Sequence, residues 1–289
     1  MTPKPSDPPA KTSRRPIRGI RYSVSGAWLC HAGKVRRQNE DSCLAVGAMS
    51  SGNLAVPALI APPGGPWIVA VSDGIGGHVA GHEASKAVVE ALAAASRVTP
   101  TSVSACVQRV NFELCERGLR DSAFAGMGAT VAGIGCGMSD VFAFHVGDSR
   151  VYRVEPTKLT QLTRDDSEAE ELIEMGLLPA DAEIRPGYLH ALTQAVGGRL
   201  EHVEIEVHTQ PLKFTGSARF LICTDGLTDM VGRVALEEIT RVMRAPEATA
   251  EALFGLAMDA GGLDNITLAI IDVEPLPRAP RSPRDSARS

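Results

Sequence analysis

Aromatic residues are scarce in this 289-residue chain: two Trp, three Tyr and seven Phe, 4% of the whole. Proteins that hold single-stranded nucleic acid stack bases on aromatic platforms. The shortage argues against that class, and a net charge of −5 argues against nucleic-acid partners generally. Cysteine is sparse too. The six, at positions 30, 43, 106, 115, 136 and 223, form no C-x-x-C pair and match no zinc-ribbon spacing. Reduced thiols in a cytoplasmic protein are the expectation. No apolar h-region follows the basic N-terminal residues, so no secretory signal is read. A G-x-x-x-x-G-K-[ST] nucleotide loop is absent, as is any internal repeat. There is no uninterrupted apolar span either. Residues 42–72 carry no charge, but four prolines (57, 62, 63 and 66) and four glycines interrupt them. A membrane helix of about 20 residues cannot run through such a stretch, so it reads as a strand, a long loop and a second strand, with no membrane partner.

What is present suits one large domain. Apolar residues make up 44% and charged residues 22%, and a chain of this length buries about 75% of its unfolded surface without needing disulfides. The charge is uneven. Residues 1–21 hold six Lys/Arg against Asp7, and residues 274–289 hold four Arg against Glu274 and Asp285. The two ends contribute +5 and +2, which leaves −12 for residues 22–273. Both ends are Pro- and Arg-rich and read as disordered tails (1–21 and 274–289) around a single domain. An acidic domain suggests clustered carboxylates that attract cations; a merely soluble acidic surface is the plain alternative.

The pattern along the chain mixes strands and helices. Trp67–Val71, Thr130–Cys136, Val141–Val146, Val151–Val154, Phe220–Cys223 and Ile266–Val273 are apolar, strand-like runs. Val203–Val207 alternates strictly and predicts a half-exposed strand. Helices are expected over Ala80–Arg97, Ser102–Arg117 and Asp165–Met175, with two more within residues 234–260. Consecutive strands without helices between them argue for antiparallel sheet, and paired helices for packing outside it.

Four acidic places share one context, a carboxylate beside a turn at a strand end: Glu40-Asp41 in RRQNEDS, Asp73 in VSDGIGGH, Asp225 in CTDGLTD and Asp264 in GGLDNIT. Singly, each is an ordinary turn signal. Brought together, they would repel one another and raise one another's pKa unless divalent cations sat between them. Oxygen-only ligation suits the hard ions Mg²⁺ and Mn²⁺.

These residues sit in longer motifs. They are Gly33-x-Val35-Arg36-x-x-Asn39-Glu40-Asp41-Ser42, Asp73-Gly74-Ile75-Gly76-Gly77-His78 with Gly81-x-Glu83-Ala84-Ser85, Gly126-Met127-Gly128-Ala129-Thr130, and Val146-Gly147-Asp148-Ser149-Arg150-x-Tyr152. Leu162-Thr163-Arg164-Asp165-Asp166-Ser167, Leu192-Thr193-x-Ala195-Val196-Gly197, Cys223-Thr224-Asp225-Gly226-Leu227-Thr228-Asp229 and Asp264-Asn265-Ile266-Thr267 follow. In this order they resemble the motifs of the bacterial protein phosphatase 2C family of metal-dependent Ser/Thr phosphatases, over about residues 22–273.

The resemblance implies an α+β fold, a four-layer α-β-β-α sandwich of two antiparallel sheets flanked by helix pairs. It implies two Mn²⁺ or Mg²⁺ ions. Asp73 would bridge them with the Gly74 carbonyl as a further ligand, Asp225 and Asp264 would bind one ion directly, and Glu40 would hold water on the other with Asp41 close by. Arg36 would grip the substrate phosphate; from the residues alone, Arg36-Arg37 reads rather as a solvated basic pair. A metal-activated water would hydrolyse phosphoserine or phosphothreonine in proteins with no phosphoenzyme, reversing a Ser/Thr kinase, in a cytoplasmic monomer. Residues 165–190 match the family's flap.

Two departures stand out. Ile75 occupies a position where many eukaryotic relatives carry a histidine. Many bacterial members bind a third metal through an Asp just before Gly-x-Gly-x-Thr; here Ser122–Ala125 fills that stretch and Asp121, offset, is the nearest candidate or simply a loop acid. Asp148 is read as a structural hydrogen-bonder. Alternatives to the enzyme are a pseudophosphatase that binds phosphoproteins and a zinc hydrolase built on His78 and His82, which read otherwise as helix-start packing.

Overall fold

Two six-stranded sheets stack face to face in the computed structural model, which describes residues 21–76, 79–138, 140–179, 191–242 and 245–276. In chain order the strands are β1 (Tyr22–His31), β2 (Ser42–Ala45), β3 (Ala48–Ser50), β4 (Ala58–Ile60), β5 (Trp67–Ser72), β6 (Gly74–Ile75), β7 (Gly128–Ala129) and β8 (Val131–Cys136). Then come β9 (Val141–Val146), β10 (Arg150–Val154), β11 (Leu159–Gln161), β12 (Val196–Gly197), β13 (His208–Pro211), β14 (Ala218–Cys223) and β15 (Ile266–Pro275). The helices are α1 (Val79–Ala93), α2 (Pro100–Arg120), α3 (Glu168–Glu174), α4 (Asp225–Thr228), α5 (Arg233–Val242) and α6 (Pro246–Asp259). One sheet runs β11-β10-β14-β15-β1-β4, the other β13-β9-β8-β5-β2-β3, and a small third one β12-β7-β6. Neighbouring strands pair antiparallel.

Trp28, Trp67, Val71, Ile134, Phe220 and Ile271 fill the space between the large sheets. The outer face of the second sheet packs on α1 and α2 through Val88, Leu92, Val107, Leu114, Phe142 and Phe144. The outer face of the first packs on α5 and α6 through Leu221, Leu268, Ile270, Leu236 and Leu253. The four layers are those implied by the motifs. Covered on both faces, β5, β8 and β9 are buried at every residue, which is why they read as apolar runs without alternation. No helix among the described residues is long and apolar enough to cross a membrane.

The structure departs from the sequence reading in several places. β1, paired with β15 over ten residues, stands inside the sheet and was not anticipated. The stretch between Ser42 and Ser72 is more than strand, loop, strand: β3 pairs with β2, and β4 crosses to the edge of the opposite sheet beside β1. α2 starts at Pro100, not Ser102, because Thr99 and Ser102 form a capping box and Pro100 fits the first helical position. α3 is shorter than expected, since Ser167 caps it just before Glu168. Val203–Val207 is not a strand. Its alternating burial is genuine, but its backbone is satisfied by side chains: Asn111 Nδ2 donates to the Val203 carbonyl at 2.8 Å and Glu206 N–H donates to Gln194 Oε1 at 3.0 Å. Alternation reports which side is covered, not what the backbone pairs with. β15 continues to Pro275, two residues into the stretch expected as a tail. Residues 1–20 and 277–289 of the expected tails, and residues 180–190 of the expected flap, lie outside the described residues.

Gly26 lets β1 and β15 meet. A Cβ there would lie 2.1 Å from the Ile270 carbonyl oxygen and 3.0 Å from the Cα of Ile271. Gly26→Ala should lower unfolding stability by about 1–3 kcal/mol, the usual cost of overpacking; urea denaturation of both proteins measures it, and an unchanged midpoint would mean that the strands separate easily.

Candidate active site

Strand register brings the acidic motifs to one end of the sandwich. Ser42 pairs with Ser72, so Asp41 and Asp73 lie side by side just beyond β2 and β5. His31 pairs with Ile266 and Cys223 with Leu268, so the residue 32–40 loop, Asp225 and Asp264 emerge at neighbouring strand ends. Arg150 pairs with Cys223, which sets Asp148 beside Asp225.

Short-range contacts fix the loops further. The Asn265 side chain clamps the 32–40 loop: its Nδ2 donates to the carbonyls of Ala32 (3.1 Å) and Gln38 (3.0 Å), and its Oδ1 accepts from Glu40 N–H (2.8 Å). Thr224 joins the two sheets, with its Oγ1 donating to Asp41 Oδ2 at 3.0 Å and accepting from Thr267 N–H at 3.1 Å. Ser85 of α1 donates to the Glu40 carbonyl. Backbones touch where glycines stand. A Cβ on Gly226 would lie 1.9 Å from the Asn265 carbonyl oxygen, and one on Gly33, at φ +73°, would lie 2.2 Å from that of Asp264.

Asp41, Asp73 and Asp225 form the enclosed part of the cluster. Asp41 is fully buried, and burial, with Asp225 and Asp264 nearby, pushes its carboxyl up to about 7. Asp225 is pushed up to about 6, mainly by enclosure and by Asp229 and Asp264. Asp73 rises well above the usual range, through enclosure and the charges of Asp41, Asp225 and Asp148, and its carboxyl hydrogen-bonds that of Asp225. Two carboxyls in that contact share a proton when no cation lies between them. Asp41 Oδ1 and Asp225 Oδ1 are buried without a hydrogen-bond partner.

Glu40 and Gly74 meet over α1. A Cβ on Gly81 would lie 2.3 Å from Glu40 Oε2 and 2.8 Å from the Gly74 carbonyl oxygen, so these two oxygens border one small hollow. At the rim, Arg36 Nη2 donates to Asp264 Oδ2 at 2.7 Å, with the Arg36 side chain 53% exposed. Burial works against the Arg36 charge, but Asp264, Glu40 and Asp73 outweigh it and hold the guanidinium protonated. The predicted residues Arg36, Glu40, Asp41, Asp73, Gly74, Asp225 and Asp264 are therefore gathered. Asp121 is not among them: exposed at the end of α2, it accepts from Ala123 N–H at 2.9 Å and caps a short turn.

Orphaned carboxylate oxygens, mutually raised acids and a hollow lined by a carboxylate and a carbonyl fit hard divalent cations. The donors that could hold them are Asp41, Asp73, Asp225, Asp264, Glu40 and the Gly74 carbonyl. Sequence reasoning missed the clamping roles of Asn265, Thr224 and Ser85, although all three stand inside the quoted motifs. It also read Asp148 as a structural hydrogen-bonder. Asp148 also faces the cluster, pushed up to about 8 by enclosure and by Asp225 and Asp165, while the neighbouring Arg150 is forked onto Asp165. His78 lies outside the described residues; His82 Nδ1 sits 3.0 Å from the Asn39 carbonyl, a packing contact at the start of α1.

Known proteins resemble this chain in sequence and in fold. The family model for protein phosphatase 2C matches residues 55–256. The Serine/threonine phosphatase stp of Listeria monocytogenes is 33% identical over 214 residues, which cover 71% of this chain and 84% of that protein. Serine/threonine protein phosphatase PstP of Mycobacterium tuberculosis is 30% identical over 247 residues, 83% of this chain and 43% of that longer protein. The crystal structure of the PstP catalytic domain in complex with two manganese ions superposes with a TM-score of 0.70 at 27% identity, over 88% of this chain and 99% of that one. With a family match over most of its length and a relative 33% identical that aligns across 84% of its own, this chain belongs to the protein phosphatase 2C family.

Proposed function

We propose that the protein is a metal-dependent phosphatase of phosphoserine and phosphothreonine in proteins, and that the convergence of Asp41, Asp73, Asp225 and Asp264 with orphaned oxygens is the site that carries the reaction. In this reading Asp73 would serve both of two Mn²⁺ or Mg²⁺ ions, with the Gly74 carbonyl as a further ligand. Asp225 and Asp264 serve one, and Glu40, with Asp41 behind it, the other. Two such ions, when bound, supply a water-derived nucleophile near neutral pH and screen the charge of a phosphomonoester dianion. The chain's own residues do the rest. Arg36 stands exposed at the mouth and engages Asp264 through Nη2, and a guanidinium has five donors in a planar fork matched to phosphate oxygens. Ile75, half-buried beside the hollow, carries no proton to give a leaving group.

Cysteine-based phosphate transfer finds no support. Cys30 and Cys223, thiols beside the cluster, are buried and pushed up to about 12 chiefly by that burial, and buried Cys43 is raised in the same way, so none supplies a thiolate. The acidic ligand set is whole, which favours an enzyme over a phosphoprotein-binding relic. The biological substrates in this proposal are phosphoproteins whose Ser/Thr kinase the enzyme opposes in the cytoplasm.

Asp73→Asn should cut manganese-dependent turnover of p-nitrophenyl phosphate by more than about 100-fold, beyond the loss typical of residues that only orient a ligand. Its melting temperature in EDTA should match or exceed that of the wild type, because the change removes one enclosed carboxyl. Turnover within a few-fold of wild type would refute the assignment of Asp73. Arg36→Ala should lower kcat/KM for a phosphopeptide by roughly 10–100-fold, the worth of one charge-assisted hydrogen bond, mainly through KM; steady-state kinetics with an unchanged KM would take Arg36 out of phosphate binding.

The raised carboxyls also fix a pH dependence. The folded-state values of about 7, 8 and 6 for Asp41, Asp148 and Asp225 exceed the unfolded carboxylate value of about 3.9. Without metal, the native state therefore binds more protons than the unfolded state between those limits. This stabilising contribution is full below about pH 4 and is lost as pH rises through 6–8. Melting temperature in EDTA should fall from about pH 5.5 to about pH 8, while the gain from added Mn²⁺ should grow over the same range. A gain that shrank with rising pH would contradict this.

A further inference from the structure

Three side chains outside the carboxylate cluster converge at the open edge of the second sheet. His145 of β9 and His208 of the edge strand β13 are direct cross-strand partners, so their side chains leave the sheet on the same face. Their rings lie side by side, with centroids 4.6 Å apart and planes 20° apart. Asp166, from the stretch between β11 and α3, brings its Oδ1 to 3.0 Å from His208 Nε2. One ligand-type atom from each of the three lies within 4.8 Å of the others.

His145 and Asp166 are each oriented by a second partner. His145 Nε2 is 2.7 Å from the Arg164 carbonyl. A carbonyl only accepts, so Nε2 carries the proton and Nδ1 keeps its lone pair. Burial and the neighbouring His208 lower the His145 pKa, which keeps the ring neutral. Asp166 Oδ2 accepts from Gly147 N–H and Gln194 Nε2, both at 2.8 Å, which aims Oδ1 at His208. His208 Nδ1 lies 3.6 Å from Glu206 Oε1, and its Nε2 also lies 3.2 Å from Gln194 Nε2. Histidine ligands held through the other ring nitrogen, and carboxylates held through the other oxygen, are the outer-sphere pattern of metal sites. A cleft of about 370 Å³ opens beside the two histidines, lined also by Thr163 and Glu206, with room for a further ligand. The charge of Arg164 at its wall is drawn off to Glu174.

We propose that His145, Asp166 and His208 form a second metal site, selective for a borderline ion of the Zn²⁺ class. Two imidazoles and one carboxylate suit that ion, whereas the all-oxygen cluster suits Mn²⁺ or Mg²⁺. Tetrahedral zinc with bonds of about 2.0–2.1 Å needs its ligand atoms roughly 3.3 Å apart, so closure takes about an ångström of side-chain rotation and the loss of the His208–Asp166 hydrogen bond. The ion would tie an edge strand, its neighbour and the stretch leading into α3 together. The site stands independently of the phosphatase reading.

The test uses the full chain saturated with Mn²⁺, then given Zn²⁺ and desalted, with zinc and manganese both measured by elemental analysis. Wild type should retain one more zinc per chain than His208→Gln and His145→Gln at equal manganese content, and zinc should raise the melting temperature of wild type alone. Glutamine at 208 keeps a donor toward Asp166, so the variant retains the packing of the cluster. Equal zinc in all three proteins, or zinc gained only as manganese is lost, would overturn the proposal. Should neither variant fold, the visible spectrum of cobalt added to the manganese-loaded wild type decides: intense tetrahedral bands support the site, and faint six-coordinate bands alone refute it.

Discussion

Repulsion between enclosed carboxylates dominates this molecule. Asp41, Asp73, Asp148 and Asp225 are all pushed toward protonation by enclosure and by one another. Among the described residues the nearby cations are engaged elsewhere: Arg36 is held at the rim by Asp264, and Arg150, whose charge lowers Asp148 and Asp225 only in part, is forked onto Asp165. Two of the three unsatisfied buried side-chain atoms among the described residues belong to this cluster. A fold that keeps such a group together stores electrostatic cost at one place and offsets it with packing elsewhere. A divalent cation between them would offset that cost.

The remainder of the architecture holds those acids against their repulsion. Each comes from a different strand end, and the two large sheets set the strand ends by register over long antiparallel pairings. Thr224 fastens one sheet to the other through Asp41 itself. Asn265 spends its whole amide on the loop that carries Arg36 and Glu40. Glycines at 33, 74, 81 and 226 let these segments approach until no side chain fits between them. The motifs are therefore dense in two kinds of residue: those that present oxygen, and those that allow or enforce contact between the segments presenting it.

Much of this was legible in the sequence, for identifiable reasons. Doubly covered strands such as Trp67–Ser72 must be apolar throughout, and helices α1, α2, α5 and α6 declare themselves by composition. The acids at strand ends were visible as a repeated context, and their order carried the resemblance. Other features were hidden. β1 (YSVSGAWLCH) mixes small polar residues with apolar ones and offers no clean period, although six of its ten residues are buried. Residues 203–207 alternate like a strand because α2 covers alternate side chains, a contact that no local pattern encodes. The histidines at 145 and 208 meet only through strand register, 63 positions apart in the chain, so neither can be recognised as half of a pair by spacing.

The pairing of β1 with β15 has a further consequence for biosynthesis. The first and last strands of the described domain are immediate neighbours inside one sheet, and Glu40 and Asp264 come from opposite ends of the same stretch. Contacts this distant in sequence close late and slowly. A ribosome adding about 5–20 residues per second holds the amino-terminal half for many seconds before its missing neighbour strand is made. During that interval one side of β1 has no partner strand and Asp264 is not yet there to meet Arg36, so the acidic cluster is complete only after β15 has been made.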